Sequence, residues 1–303
     1  MAAISSSNTA FALDLLRILS QGNPSGNIFM SPLSISSALA MVYLGAKGDT
    51  AAQMAQVETH AERQPKALSF NSGHDVHADF QTLNGEINSP SASYILRLAN
   101  RLYGETTSNF LSNESKPVQM MYQMKKLPYN YIPDHSLQIL ELPYAQEELS
   151  MFILLPEETT DGSNPLLKLE NELTREKLDE WTNRENMDVS SEVLVHLPKF
   201  KLEENYEMKE ALAKLGMTDV FCAGKADLSG MNSDGGLFLS TVAHKAFVEV
   251  NEEGTEAAAA TVAMVTFCML REEHFTADHP FLFFIRHNKT KSILFLGRYS
   301  SPQ

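Results

Sequence analysis

Apolar positions along this chain follow two periods. Near the start, Phe11, Leu15 and Ile18 recur at the spacing of one helical face, behind a capping stretch at Ser7-Asn8-Thr9. That predicts a helix over 11–19, and the following pattern predicts helices over 34–44 and 50–56. Residues 57–79 are polar and read as a loop between helices. Tyr94, Leu96 and Leu98 alternate with other positions, which predicts a strand over 94–103. From 119 onward the pattern becomes β-rich, with strands expected over 119–125, 137–142, 149–155, 193–202, 237–250, 281–286 and 292–298, and one further helix over 173–182. Helices first and strands later give an α+β arrangement.

One stretch fits neither period cleanly. A strand-like run, Phe247-Val248-Glu249-Val250, leads into Asn251-Glu252-Glu253-Gly254-Thr255-Glu256, four alanines (Ala257, Ala258, Ala259, Ala260) and Thr261-Val262-Ala263-Met264-Val265-Thr266. It ends in an apolar tip, Phe267-Cys268-Met269-Leu270, and then turns charged. Read as a strand, Thr255, Ala257, Ala259, Thr261, Ala263 and Val265 share a face with no large or charged residue, and Glu256 takes the opposite face. Such a strand fits between two others with its small face inward. A slip of one residue would bury Glu256, so the register is specified. Alanine is also the best helix former, and composition leaves the helical reading open. Against it stand Gly254 and the Thr/Val-rich second half.

With 43% hydrophobic residues and no repeat or long Pro/Ser linker, the chain is expected to form one domain over 1–303. A net charge of −14 without a basic cluster argues against nucleic acid as a partner. No apolar run approaches the length of a membrane span, so no membrane partner is expected. Two cysteines, Cys222 and Cys268, make no disulfide framework and suit a reducing compartment. Met1 to Ser7 carries no positive side chain, and Asp14 and Arg17 interrupt the apolar run behind it. A cleaved leader is not expected; the reading is a cytoplasmic protein, whose release, if it occurs, would need no such leader.

Candidate chemistry is sparse. His74 and His77 with Asp75 and Asp79 have metal-like spacing but no third strong ligand, so a solvated surface is the better reading and no metal or cofactor is expected. Ser31, Ser34 and His244 resemble parts of a hydrolase triad, yet no Gly-x-Ser-x-Gly elbow occurs, and Ser31 before Pro32 fits a helix cap. Met120, Met121 and Met124 read as core filling. Cys268 lacks a neighbouring base for nucleophilic catalysis. No enzyme is expected.

Several motifs recur in one family's order and spacing. They are Asn27-Ile28-Phe29-Met30-Ser31-Pro32-Leu33-Ser34-Ile35, Leu44-Gly45-Ala46-Lys47-Gly48-Asp49-Thr50, Leu197-Pro198-Lys199-Phe200, Ala226-Asp227-Leu228-Ser229-Gly230-Met231, His244-Lys245 and Asp278-His279-Pro280-Phe281. With the 253–260 hinge and its apolar tip, the chain resembles the serpins over nearly its whole length, in particular their intracellular, ovalbumin-like branch. The resemblance implies a serpin fold with an exposed reactive-centre loop over 251–274. It implies inhibition of serine proteases by loop insertion, with the attacked bond between Cys268 and Met269. A small, weakly polar side chain there suits an elastase-like pocket, and Phe267 suits a chymotrypsin-like one. Glu253, Gly254, Thr255, Glu256 and Ala257 to Ala260 become the hinge. Ser31, Ser34 and His244 become a polar cluster beneath the main sheet that controls its opening.

The resemblance lapses between about Leu111 and Lys116. The family's intervening block, which includes a central strand of the main sheet, has no counterpart here. The loop is expected to insert beside the 237–250 strand. Its other neighbour is then either the 94–103 strand or nothing, which would leave an open edge through which an otherwise monomeric chain can aggregate. The alternative reading is therefore a shortened, non-inhibitory serpin.

Overall fold

The computed structural model describes residues 2–55, 76–87, 117–159, 162–233, 235–251 and 272–302. In chain order they form α1 (Ala2–Gly22), β1 (Ile28–Met30), α2 (Pro32–Tyr43), α3 (Gly48–Ala55), α4 (Val76–Ile87), β2 (Met120–Lys126), β3 (Tyr129–Ile132), β4 (Leu137–Pro143) and β5 (Leu149–Pro156). There follow α5 (Pro165–Glu172), α6 (Arg175–Trp181), β6 (Glu192–Pro198), β7 (Phe200–Glu207), α7 (Lys209–Lys214), β8 (Ala243–Val250), β9 (Glu272–Thr276), β10 (Phe281–His287) and β11 (Ser292–Tyr299).

A six-stranded antiparallel sheet in the order β1-β11-β10-β5-β4-β3 forms the middle layer. Every residue of β5 and β10 is buried, because both faces of this sheet are covered. Alternate side chains go to opposite sides. Phe152, Leu154, Leu282 and Phe284 pack toward α1 and α2, whereas Met151, Ile153, Leu155, Phe281, Phe283 and Ile285 pack into a second core. Two smaller sheets close that second core. β2-β6-β9 presents Val193, Val195, Leu197 and Phe275, and β7-β8 presents Phe200, Leu202 and Ala246. The fold is α+β, as its pattern predicts. Among the described residues no helix is long and apolar enough to cross a membrane.

Several elements differ from the sequence expectation. The 193–202 strand is two strands in different sheets: Pro198 ends β6, and the chain crosses at Lys199 to begin β7. Proline lacks the N–H that a continuing ladder needs. The 237–250 strand begins only at Ala243. Before it, the Leu239 N–H goes to Val220 O and the Val242 N–H to Glu207 Oε1, outside any ladder. The polar 57–79 segment ends in α4, whose Phe80, Leu83 and Ile87 are buried at helical spacing. Met120 and Met124 are exposed on the outer face of β2, and only Met121 packs on a core. The expected 94–103 strand lies outside the described residues.

Candidate functional site

The short strand β1 lies where the large sheet meets β7-β8, and its backbone organises the junction. One edge of β1 pairs with β11. Two backbone N–H groups are donated elsewhere: Phe29 N–H to the Tyr206 hydroxyl (3.1 Å) and Ser31 N–H to His244 Nε2 (2.9 Å). Tyr206 on β7 and His244 on β8 are cross-strand partners with nearly parallel rings, their centroids 6.5 Å apart. Side chains of the two-stranded sheet thus satisfy two backbone donors at the edge of the six-stranded one.

Ser31 completes the junction. Its backbone is extended (φ −107°, ψ 95°), and it caps α2 by accepting the Ser34 N–H, with Pro32 in the first helical position. Its Oγ donates to Leu294 O on β11 at 2.9 Å. One serine therefore ties α2, β8 and β11 together. His244 is buried and uses Nε2 as an acceptor, so its proton sits on Nδ1. Burial pushes its pKa down to about 4. Burial likewise pushes the Tyr206 phenol up. The structure brings Ser31, Ser34 and His244 together as a latch. Ser31 Oγ is turned to a backbone carbonyl, and His244 to a backbone amide, which is no hydrolytic arrangement.

Tyr206 was not among the sequence candidates. Its signal was present: it shares parity with the buried Phe200 and Leu202 on β7, and a phenol on an inward face needs a partner. The other motifs are scaffolding. Lys47 N–H donates to Asp227 O, Asp227 N–H to Thr50 Oγ1 and Gly230 N–H to Gly45 O, so the 44–50 and 226–231 motifs dock on each other. A Cβ on Gly230 would lie 2.9 Å from Gly45 O. His279 in the 278–281 motif bridges Asp278 Oδ1 and Pro156 O, each at 2.8 Å, where the chain passes from β9 to β10. His77 and Asp79 fall in the first turn of α4, and His74 and Asp75 lie outside the described residues. Among the described residues, no group of three or more His, Cys, Asp or Glu is placed to hold a metal. Cys222 is exposed. The hinge residues Glu253 to Ala260 and the tip Phe267-Cys268-Met269 lie outside the described residues.

The serpin (serine protease inhibitor) family model matches residues 6–113 and 108–302. The chain is a serpin. Its family is one of protease inhibitors, not of enzymes. It is 46% identical to the human leukocyte elastase inhibitor and 44% identical to that of Xenopus laevis, in each case over the whole of both chains. Among solved structures it is similar to maspin (TM-score 0.82, 29% identity, covering 100% of this chain and 99% of that one). It is also similar to uncleaved ovalbumin (TM-score 0.74, 27% identity, covering 99% and 100%). The intracellular, ovalbumin-like branch fits these relatives. The alignment to the human protein runs over 390 positions, 87 more than the 303 residues of this serpin. The family match breaks into two pieces at 108–113, beside the lapse read between Leu111 and Lys116.

Proposed function

We propose that this serpin is a suicide inhibitor of elastase-like and chymotrypsin-like serine proteases in the cytoplasm, with Cys268–Met269 as its reactive bond and Phe267 as a second bait. The protease serine attacks the Cys268 carbonyl. An ester to the enzyme forms, and the Met269 amine leaves. The severed 253–267 tether then adds to β8 as a new strand, small face inward, and carries the protease with it. Each ladder bond contributes about 0.5–1.5 kcal/mol net, so about a dozen supply on the order of 10 kcal/mol. That is ample to displace catalytic groups, for which ~1 Å of misplacement slows reaction ~100-fold.

The observation that carries the reading is β8 itself. It ends at Val250, directly before the hinge, and pairs with β7 on one side. Its other edge has no strand among the described residues. In this reading the Ser31–His244 latch holds β8 in register while that edge accepts the loop. Incubation with neutrophil elastase or chymotrypsin, followed by a denaturing gel and mass spectrometry of the loop, tests it. The expected result is a covalent band with cleavage after Cys268 or Phe267. A nick with no covalent band would refute inhibition and leave the non-inhibitory reading.

A further inference from the structure

Away from the latch, Glu141, Glu147, Arg184, Arg286, Asn288 and Lys291 line a cavity of about 200 Å³. Both carboxylates are taken by one guanidinium. Arg184 donates Nε and Nη2 to the two oxygens of Glu141, each at 3.1 Å, and Nη1 to Glu147 at 3.0 Å. The Ser150 hydroxyl also donates to Glu141, at 2.7 Å.

Arg286 is left without a counterion. It is 5% exposed, and among the described residues no carboxylate lies within ion-pair distance of it. Its guanidinium sits 4.1 Å from the Phe152 ring centroid and donates one bond, to Thr182 Oγ1 at 2.8 Å. Its Nε has no partner. A buried charge is normally paired, because desolvation without a partner is expensive. Burial pushes the Arg286 pKa down to about 10, against the opposing pull of Glu141 and Asp179, which lie too far off to pair with it. Lys291 stands exposed at the rim with φ +60°, and it too makes no ion pair among the described residues. The lining therefore carries three cations against two anions in a chain whose net charge is −14.

A second unsatisfied atom narrows the ligand. Asn288 Nδ2 donates to Glu147 O at 2.7 Å and Ser150 Oγ at 2.8 Å, which fixes the amide orientation. Its Oδ1 is buried without a donor. Two residues of the lining thus each keep an unpaired buried polar atom, a cationic donor on Arg286 and a neutral acceptor on Asn288. We propose that it binds inorganic hydrogen phosphate, whose anionic oxygens pair with Arg286 and Lys291 and whose P–O–H donates to Asn288 Oδ1. Sulfate and a carboxylate supply the charge but no donor at neutral pH. A phosphomonoester is mostly dianionic at pH 7 and also lacks the proton.

The full-length chain would be titrated with inorganic phosphate, sulfate and O-phosphoserine at matched ionic strength, read by thermal shift and by 31P line broadening for the phosphorus ligands. Phosphate should bind saturably and raise Tm, with sulfate and O-phosphoserine each about tenfold weaker, the value of one charge-assisted hydrogen bond. Lys291→Gln should weaken phosphate about tenfold yet melt like wild type in chloride. Asn288→Leu should erase the preference for phosphate over sulfate. Equal shifts from phosphate, sulfate and chloride would overturn the site, as would unchanged phosphate affinity in Lys291→Gln. Tighter binding of O-phosphoserine would overturn the free ion as its ligand.

Discussion

The latch makes His244 a titratable weak point whose sign and size follow from its surroundings. The ring is buried, its Nε2 accepts the Ser31 N–H, and Tyr206 beside it is uncharged. Protonation would put a second hydrogen where the Ser31 amide hydrogen already points. In the unfolded chain His244 takes its proton as pH falls through about 6.5. In the folded chain it resists until about 4. Between those values the unfolded state binds more protons, so stability falls as pH falls and levels off below about 4. At about 1.4 kcal/mol per unit, the loss reaches about 3 kcal/mol by pH 4. Carboxylates titrate in the same range, so the contribution must be isolated by difference. Urea unfolding of wild type and His244→Gln at several pH values between 7.5 and 4 does this, since glutamine keeps an acceptor and does not titrate. Wild type should lose about 3 kcal/mol more than the variant across the window. A difference that stays flat with pH would show that His244 is not the titrating group, and so would an imidazole that titrates near about 6.5 by NMR.

Other consequences are more local. Arg298 and Glu170 form a buried pair at 3.1 Å that joins β11 to α5, with Ser20 Oγ as a further partner of Arg298. Glu170→Gln should destabilise by about 3–5 kcal/mol, because it strands a buried cation; a urea melt showing under about 1 kcal/mol would contradict this. A Cβ on Gly297 would lie 2.7 Å from the Phe283 ring and 2.9 Å from Ile28 O. Gly297→Ala should therefore cost about 1–3 kcal/mol, measured in the same melt. Thr255→Arg places a charge on the inward face of the inserting strand and should convert the inhibitor into a substrate; undiminished covalent complex on a gel would count against strand insertion.

Much of this architecture is legible in the chain, and the misses have physical causes. The apolar runs of β5 and β10 announce strands covered on both faces. β1 is only three residues long, too short for any period to show. Yet it stands at the junction, because the backbone donors of Phe29 and of Ser31 just after it, not a side-chain pattern, do the joining. Likewise, the start of β8 is set by where the N–H groups of Leu239 and Val242 find acceptors, which hydrophobicity does not encode. Met120 and Met124 are apolar residues left exposed on the outer face of β2, an outcome that composition cannot separate from core filling. Ser31 and His244 lie in motifs with the family's spacing, whereas Tyr206 becomes visible only with the register of β7 on β8. Arg286 gave no sequence signal, since an arginine inside an apolar strand reads as a break in the pattern until its missing counterion is seen.

If the severed 253–267 tether becomes a strand beside β8, cleavage should stabilise the chain. Thermal unfolding of the chain before and after cleavage at Cys268–Met269 by a catalytic amount of protease tests it most directly. The cleaved form should melt well above the intact one. A cleaved form that melts at the same temperature or lower would contradict it.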